Sequence, residues 1–377
     1  MNNKVGIITL NGYFNYGNRL QNYGLEQAIS YLGYEPETVI VDTNSLNASA
    51  NSISTVATKL KRMTAVDISK AVVKKSKRFV YKLIYGHRKT IRDGKFVEFS
   101  STYLKETNFL LSEENISSDI TEDYDYFVLG SDQVWNPNFT KASPIYFLRF
   151  VERSKRITYA PSFSVPNIPD EYLDSYKQWL CDFKKLSVRE ADGARLIKEL
   201  TGLDAPVLVD PTLLLTDKEW LSIRKEASNK PTKNYIVTYF LGGATKAQRR
   251  ELNNFSKRHD FDVINLGDVR EKITYQTGPS EFIDYIKDCS IVLTDSFHGI
   301  IFSILFKKPF IAYKRLGGEY MYSRIDNLLE LFSLTNRKYE QMQLDEQALK
   351  IDYDDIGSIL ERERKRSFNY LIEGFDL

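Results

Sequence analysis

Short runs rich in Val and Ile alternate with longer segments of helical period along most of the chain. This is the feature that most limits the fold. A fully apolar run of four to six residues fits a strand covered on both faces, and the helices between such runs are what supply the cover. In the first half the pattern predicts strands near 4–10, 37–41, 125–130, 156–160 and 206–209, with helices near 18–32, 168–184 and 190–201. It restarts after Pro231, with strands near 235–240, 261–265, 290–293 and 309–313 and helices near 245–258, 280–288, 299–306 and 322–332. Two doubly wound α/β units follow: residues 1–225, with a helical insertion at 50–110, and residues 232–345. The polar stretch 227–234 joins them. At 377 residues the chain suffices for two cores. A final apolar-periodic helix, within 350–377, is expected to cross back onto the first unit.

Composition narrows the function classes. With 52 Lys and Arg against 50 Asp and Glu, the surface as a whole has no attraction for nucleic acid. No segment approaches the roughly 20 apolar residues of a membrane span. The opening run Val5–Leu10 is too short for a secretory signal, so a cytoplasmic protein is expected. Cys181 and Cys289 read as inert thiols. One stretch departs from neutrality: residues 59–95 hold 13 Lys and Arg against Asp67 and Asp93, interleaved with Val72, Phe79, Tyr81 and Leu83. Such a face is either solvated or drawn to anionic lipid at the inner membrane surface.

Four segments can carry chemistry, each where a strand gives way to a loop at a carboxyl edge, the edge at which doubly wound sheets bind ligands. Asn15-Tyr16-Gly17-Asn18 leads into a helix and can aim backbone N–H groups at an anion. Asp132, Gln133 and Trp135 follow the strand at 125–130, offering polar contacts and a stacking face for a sugar acceptor. Arg189 ends the short run Leu186-Ser187-Val188 and suits a carboxylate or phosphate; pairing with Glu190 or another acid is its structural alternative. Ser296-Phe297-His298-Gly299 follows the apolar run 291–293 and places one of three histidines at the mouth of a helix, suited to proton transfer. Asp210-Pro211 reads as a domain junction. No His, Cys or carboxylate grouping has metal-ligand spacing, and Asp123-Tyr124-Asp125 precedes its strand.

In this order, the Asn-Tyr-Gly-Asn loop, Gly130-Ser131-Asp132-Gln133-Val134-Trp135, Ser187-Val188-Arg189-Glu190, Asp210-Pro211-Thr212 and Ser296-Phe297-His298-Gly299 resemble the polysaccharide pyruvyl transferase family over roughly residues 5–335. The resemblance implies a glycosyltransferase-B-like pair of Rossmann domains. It also implies a metal-independent transfer of pyruvate from phosphoenolpyruvate onto a sugar diol, without a further cofactor, in exopolysaccharide or capsule biosynthesis. His298 and Arg189 would be catalytic. Arg189, Ser296, Phe297, His298, Gly299, Asn15, Gly17 and Asn18 would meet the donor, and Asp132, Gln133 and Trp135 a sugar or lipid-linked oligosaccharide. The family's Arg-Leu-His triplet reads Ser296-Phe297-His298 here, so one donor-binding cation must come from elsewhere: Arg19, Lys314, Arg315 or Arg324. A sugar-nucleotide glycosyltransferase with its nucleotide near Leu241-Gly242-Gly243, and a non-catalytic carbohydrate-binding protein, are the other readings.

Overall fold

The computed structural model describes residues 3–12, 15–42, 65–116, 119–318 and 322–377; the side chains of 65–80, 82 and 119 lie outside the description. The first unit is a five-stranded parallel sheet of β1 (Lys4–Ile8), β2 (Glu35–Val41), β3 (Glu106–Leu111), β4 (Tyr126–Leu129) and β5 (Arg156–Thr158), in the order 3-2-1-4-5. The second is a four-stranded parallel sheet of β6 (Tyr235–Tyr239), β7 (Asp262–Asn265), β8 (Ile291–Thr294) and β9 (Phe310–Ala312), in the order 7-6-8-9. Strands β6 and β8 are buried along their whole length, as a sheet covered on both faces requires. Both orders place β1 and β6 beside a switch point, where successive connections leave in opposite directions and open a crevice at the carboxyl edge.

Most of the elements were legible from period alone, and the exceptions have physical causes. Strand β3 lies inside the stretch read as insertion; it is an edge strand with Leu110 56% exposed, so it lacks the continuous apolar run. The run at 206–209 forms only an isolated bridge, Val188 to Val207, because Pro206 and Pro211 bring no N–H to extend a ladder. The helix expected at 168–184 is shorter, Leu173–Leu180.

The basic stretch forms one long helix, α2 (Ala65–Tyr103), after α1 (Tyr16–Tyr31). Its C-terminal half straps the two units together. The Arg92 guanidinium is buried and donates to the Tyr16 hydroxyl at 2.6 Å and the Tyr275 carbonyl at 2.7 Å, while Arg88 Nη1 donates to the carbonyls of Val269 and Arg270. Lys95 pairs with Glu281. These three cations are therefore not part of a free surface face. Lys89 is exposed. Of the remaining cations, 59, 61 and 62 lie outside the described residues, and the side chains at 70, 74, 75, 77, 78 and 82 are not described.

The last helix, Ile356–Gly374, packs on the first unit through Tyr370, whose hydroxyl meets Thr158, and through Phe375, whose ring lies against Tyr34 and Tyr126. No helix among the described residues is long and apolar enough to cross a membrane.

Candidate active site

Four strand exits converge between the two units. From the first sheet come Asp132, after β4, and Arg189, after the short run that bridges to Val207; from the connection that follows comes Asp210; from the second sheet comes His298. Arg189 Nη1 donates to Asp210 Oδ2 at 2.6 Å, and Nη2 lies 3.5 Å from Asp132 Oδ1. His298 Nε2 lies 3.4 Å from the same Asp210 oxygen. That contact has the range of an ion pair without the alignment of a hydrogen bond, which leaves Nε2 without a hydrogen-bond partner. Burial alone would raise the Asp210 carboxyl, but His298 and Arg189 beside it, with the Thr212 hydroxyl donating to Oδ1, hold it well below the usual carboxylate range. Asp132 is lowered likewise, burial being outweighed by Arg189, His298 and Arg324. Both acids are thus anions at neutral pH, and Asp210 is placed to orient the imidazole and to stabilise its charged form.

The other side of the imidazole faces α1. A Cβ on Gly17 would lie 1.9 Å from His298 Nδ1, so this position admits only glycine while the ring occupies that place. Asn18, one residue on, donates to Leu10 O at 2.6 Å and to Asp132 Oδ2 at 3.1 Å, tying the first turn of α1 to the acid.

A fifth side chain arrives from helix Ser323–Leu331. Arg324 is buried, its guanidinium 5.5 Å from the centre of the Phe297 ring, and Arg189 lies 4.9 Å from that same ring. Among the described residues no carboxylate comes within 4.0 Å of Arg324 to pair with it. Burial, with Arg189 nearby, pushes the Arg324 guanidinium down to about 9. The Nε atoms of both arginines are buried without a hydrogen-bond partner. Both residues line one cavity of about 310 Å³ together with Asp210, Phe297, Asn327 and Glu363. Two guanidiniums with unspent donors around one cavity make an anion site, because a buried donor left unpaired costs about 1–3 kcal/mol that an anion would recover.

Several residues singled out in the sequence lie elsewhere or are already engaged. Trp135 offers no stacking face: its indole is fully buried, stacked with Phe147 and tilted against Phe163, with Nε1 donating to Tyr146 O. The chain turns inward after Asp132, so the ring fills the first core. Gln133 is half-buried and accepts from Asn136. Ser296 is the N-cap of helix Phe297–Leu305, accepting from Gly299 N at 3.3 Å, so neither group is free for an anion. The Asn15 side chain takes Gly17 N in the same way. The acid partners of Arg189 are Asp210 and Asp132; Glu190 instead accepts from Ser162, Phe163 and Ser164. Of the four candidate cations, Arg19 pairs with Glu106, Lys314 with Glu340, and Arg315 lies against Asp295. Only Arg324 reaches the cavity.

Asp210 is the residue that reading by strand and linker missed. An acid directly before a proline at a strand exit, inside a motif shared with the resembled family, was the available signal. Arg324 has no local signal: it sits at an ordinary helical position.

The profile of the polysaccharide pyruvyl transferase family matches residues 15–315, which span all four strand exits. The chain belongs to this family. Membership makes it a transferase. A search of curated protein sequences finds no match. Among solved structures, the putative UDP-N-acetylglucosamine 2-epimerase from Listeria monocytogenes has a TM-score of 0.50 at 10% identity, over 98% of this chain and 90% of that one. The UDP-GlcNAc 2-epimerase from Neisseria meningitidis gives 0.49 at 10% identity, over 98% and 99%. A glycosyltransferase from Rickettsia africae gives 0.47 at 13%, over 99% and 94%. The shared feature is the fold: two parallel-sheet α/β domains of glycosyltransferase-B type.

Proposed function

We propose that this member of the family transfers the pyruvyl group of phosphoenolpyruvate to two hydroxyls of one sugar, closing a cyclic ketal, in the biosynthesis of a cell-surface polysaccharide. The observation that carries the reading is the pair of buried guanidiniums, Arg189 and Arg324, facing one cavity beside the His298–Asp210 pair. Phosphoenolpyruvate carries two anionic groups on a three-carbon frame, and two separate cations over one ring suit it better than a single clamp.

The reaction needs a proton delivered to the methylene carbon. The charged imidazole of His298, stabilised by Asp210, donates it. A first acceptor hydroxyl then adds to the cationic carbon, forming a C–O bond and releasing its proton. A second hydroxyl of the same sugar forms the other C–O bond as the C–O bond to phosphate breaks, and inorganic phosphate leaves. Its hydroxyl proton returns to the imidazole or to water. The arginines hold carboxylate and phosphate throughout, where fixed charges in a buried cavity stabilise developing charge without reorganising. Asp132, fixed by Asn18 and Arg189, is the acceptor contact retained from the strand exit after β4.

The test is calorimetric titration with phosphoenolpyruvate. Arg324→Ala should weaken donor binding about tenfold or more, the loss of a charged hydrogen-bonding partner. Arg189→Lys should also weaken it, since an ammonium cannot serve Asp210, Asp132 and the donor from one planar fork. Undiminished binding in both variants would sink the reading. Activity is expected to persist in EDTA; loss restored by magnesium or manganese would point to a metal-dependent transfer instead. Among the described residues no three His, Cys, Asp or Glu side chains converge as metal ligands would.

A further inference from the structure

The largest cavity lies apart from the donor site, at the carboxyl ends of β6 and β7, and has a volume of about 400 Å³, within the range of small-molecule sites. Its floor is the loop Leu241-Gly242-Gly243 between β6 and helix Lys246–His259. Gly243 has φ +78°, and a Cβ on Gly242 would meet Arg315 Cγ at 2.7 Å and Leu316 N at 2.8 Å, so both positions require glycine. Opposite, at the exit of β7, stands Asp268. Strand, glycine loop, helix, strand and acid in this succession form the half of a doubly wound unit that holds a phosphate at the helix start and a ribose hydroxyl at the acid.

The charges agree. The first turn of the helix carries no acid but does carry Lys246 and Arg249, cations at the end where the helix dipole disfavours them. Asp268 is the one carboxylate lining the cavity and is shared between Arg249, 3.9 Å away, and Arg270, so the wall keeps a positive excess that an anion would neutralise. The walls between these charges are aromatic: Tyr275 from the second unit and Tyr81 from α2, half exposed at 50%. Arg88 of α2 pins the carbonyls of Val269 and Arg270, which fixes the loop that carries both Asp268 and the Tyr81 side of the cavity. The floor joins the transfer site through Asp295, whose carboxylate accepts from Leu241 N at 2.6 Å and Gly242 N at 2.8 Å, one residue before Ser296-Phe297-His298.

We propose that this cavity binds a nucleoside diphosphate, so that the acceptor sugar arrives at the transfer site as its nucleoside-diphosphate ester. The diphosphate lies against Arg249, Arg270 and the helix start, the ribose on Asp268, and the base against Tyr81 and Tyr275. The sugar then extends over the 241–243 loop toward Asp295 and His298. The acceptor role rests on the pyruvyl-transfer reading; occupation of the cavity does not.

Calorimetric titration of the full chain with UDP, GDP, ADP, CDP and dTDP, beside inorganic pyrophosphate and free N-acetylglucosamine, tests it. One nucleoside diphosphate should bind, and Tyr81→Ala should weaken it about tenfold, the value of one base–aromatic stack. Arg249→Ala should weaken it by about tenfold as well, the value of one charged hydrogen-bonding partner. Both side chains are partly exposed, so folding is not at risk, and Arg324→Ala should leave this binding unchanged. No nucleotide binding in a protein that still binds phosphoenolpyruvate would overturn the inference alone. Pyrophosphate or the free sugar binding as tightly as the best nucleotide would overturn it too. Nucleotide binding with the expected losses, in a protein that does not bind phosphoenolpyruvate, would uphold the cavity and overturn the donor reading instead.

Discussion

Trp135 and Phe297 occupy equivalent places in the two domains: each follows a buried strand by a few residues, just beyond an acid or a small polar cap. Their fates are opposite. After β4 the backbone passes through Asp132 at φ +68° and turns back toward the core, and the indole becomes part of the packing beneath the sheet. After β8 the chain enters a helix at once, with Ser296 as its cap, and the phenyl ring is held at the cleft, with the guanidiniums of Arg189 and Arg324 within 5.5 Å of its centre. An aromatic residue at a strand exit is thus core or site according to the turn the backbone takes, not according to its type. The comparison also explains why the charge density lies with the second motif: a ring face held at the mouth of a cavity can carry cations, whereas an indole inside a core can only be filled around.

The largest effect expected from breaking this comparison lies beside Phe297. His298→Ala should lower turnover by about 10²–10⁴, the range for loss of a positioned acid or base, with little change in melting temperature. Near-normal turnover would return the histidine to a packing role. Trp135→Ala should act on stability instead, costing about 3–5 kcal/mol as large buried aromatics do when truncated. The check is chemical denaturation alongside donor titration; a stable variant with weakened sugar affinity would restore the indole to the site. Phe297→Leu keeps an apolar side chain of similar bulk but removes the ring under both cations, each contact being worth about 0.5–1 kcal/mol, so donor affinity should fall roughly five- to thirtyfold. Unchanged affinity would reduce Phe297 to the same filling role as Trp135. The smallest effect concerns α2, whose strap-forming half is accounted for by Arg88, Arg92 and Lys95. Weak pelleting with anionic vesicles at low salt is expected, lost when four of Lys74, Lys75, Lys77, Arg78 and Lys82 are reversed to Glu. Equal pelleting with neutral vesicles would remove the membrane from this account.

Read alone, the sequence determined the two-sheet architecture, because a parallel strand covered on both faces must be apolar throughout and its helices must carry a stripe of period 3.6. Both constraints are local and survive in the order of residues. It also located His298 and Arg189, since a polar residue at the end of an apolar run has few places to go but the carboxyl edge. What it left open depended on contacts between segments far apart in the chain. Arg189 and Asp210 share an ion pair, Arg324 reaches the same cavity from a helix of the second domain, and Gly17 is glycine because a ring 281 residues later rests on it. The tertiary structure alone decided these, for a physical reason: a charge or a glycine in a sequence records that some neighbour is needed, and only the folded chain says which one.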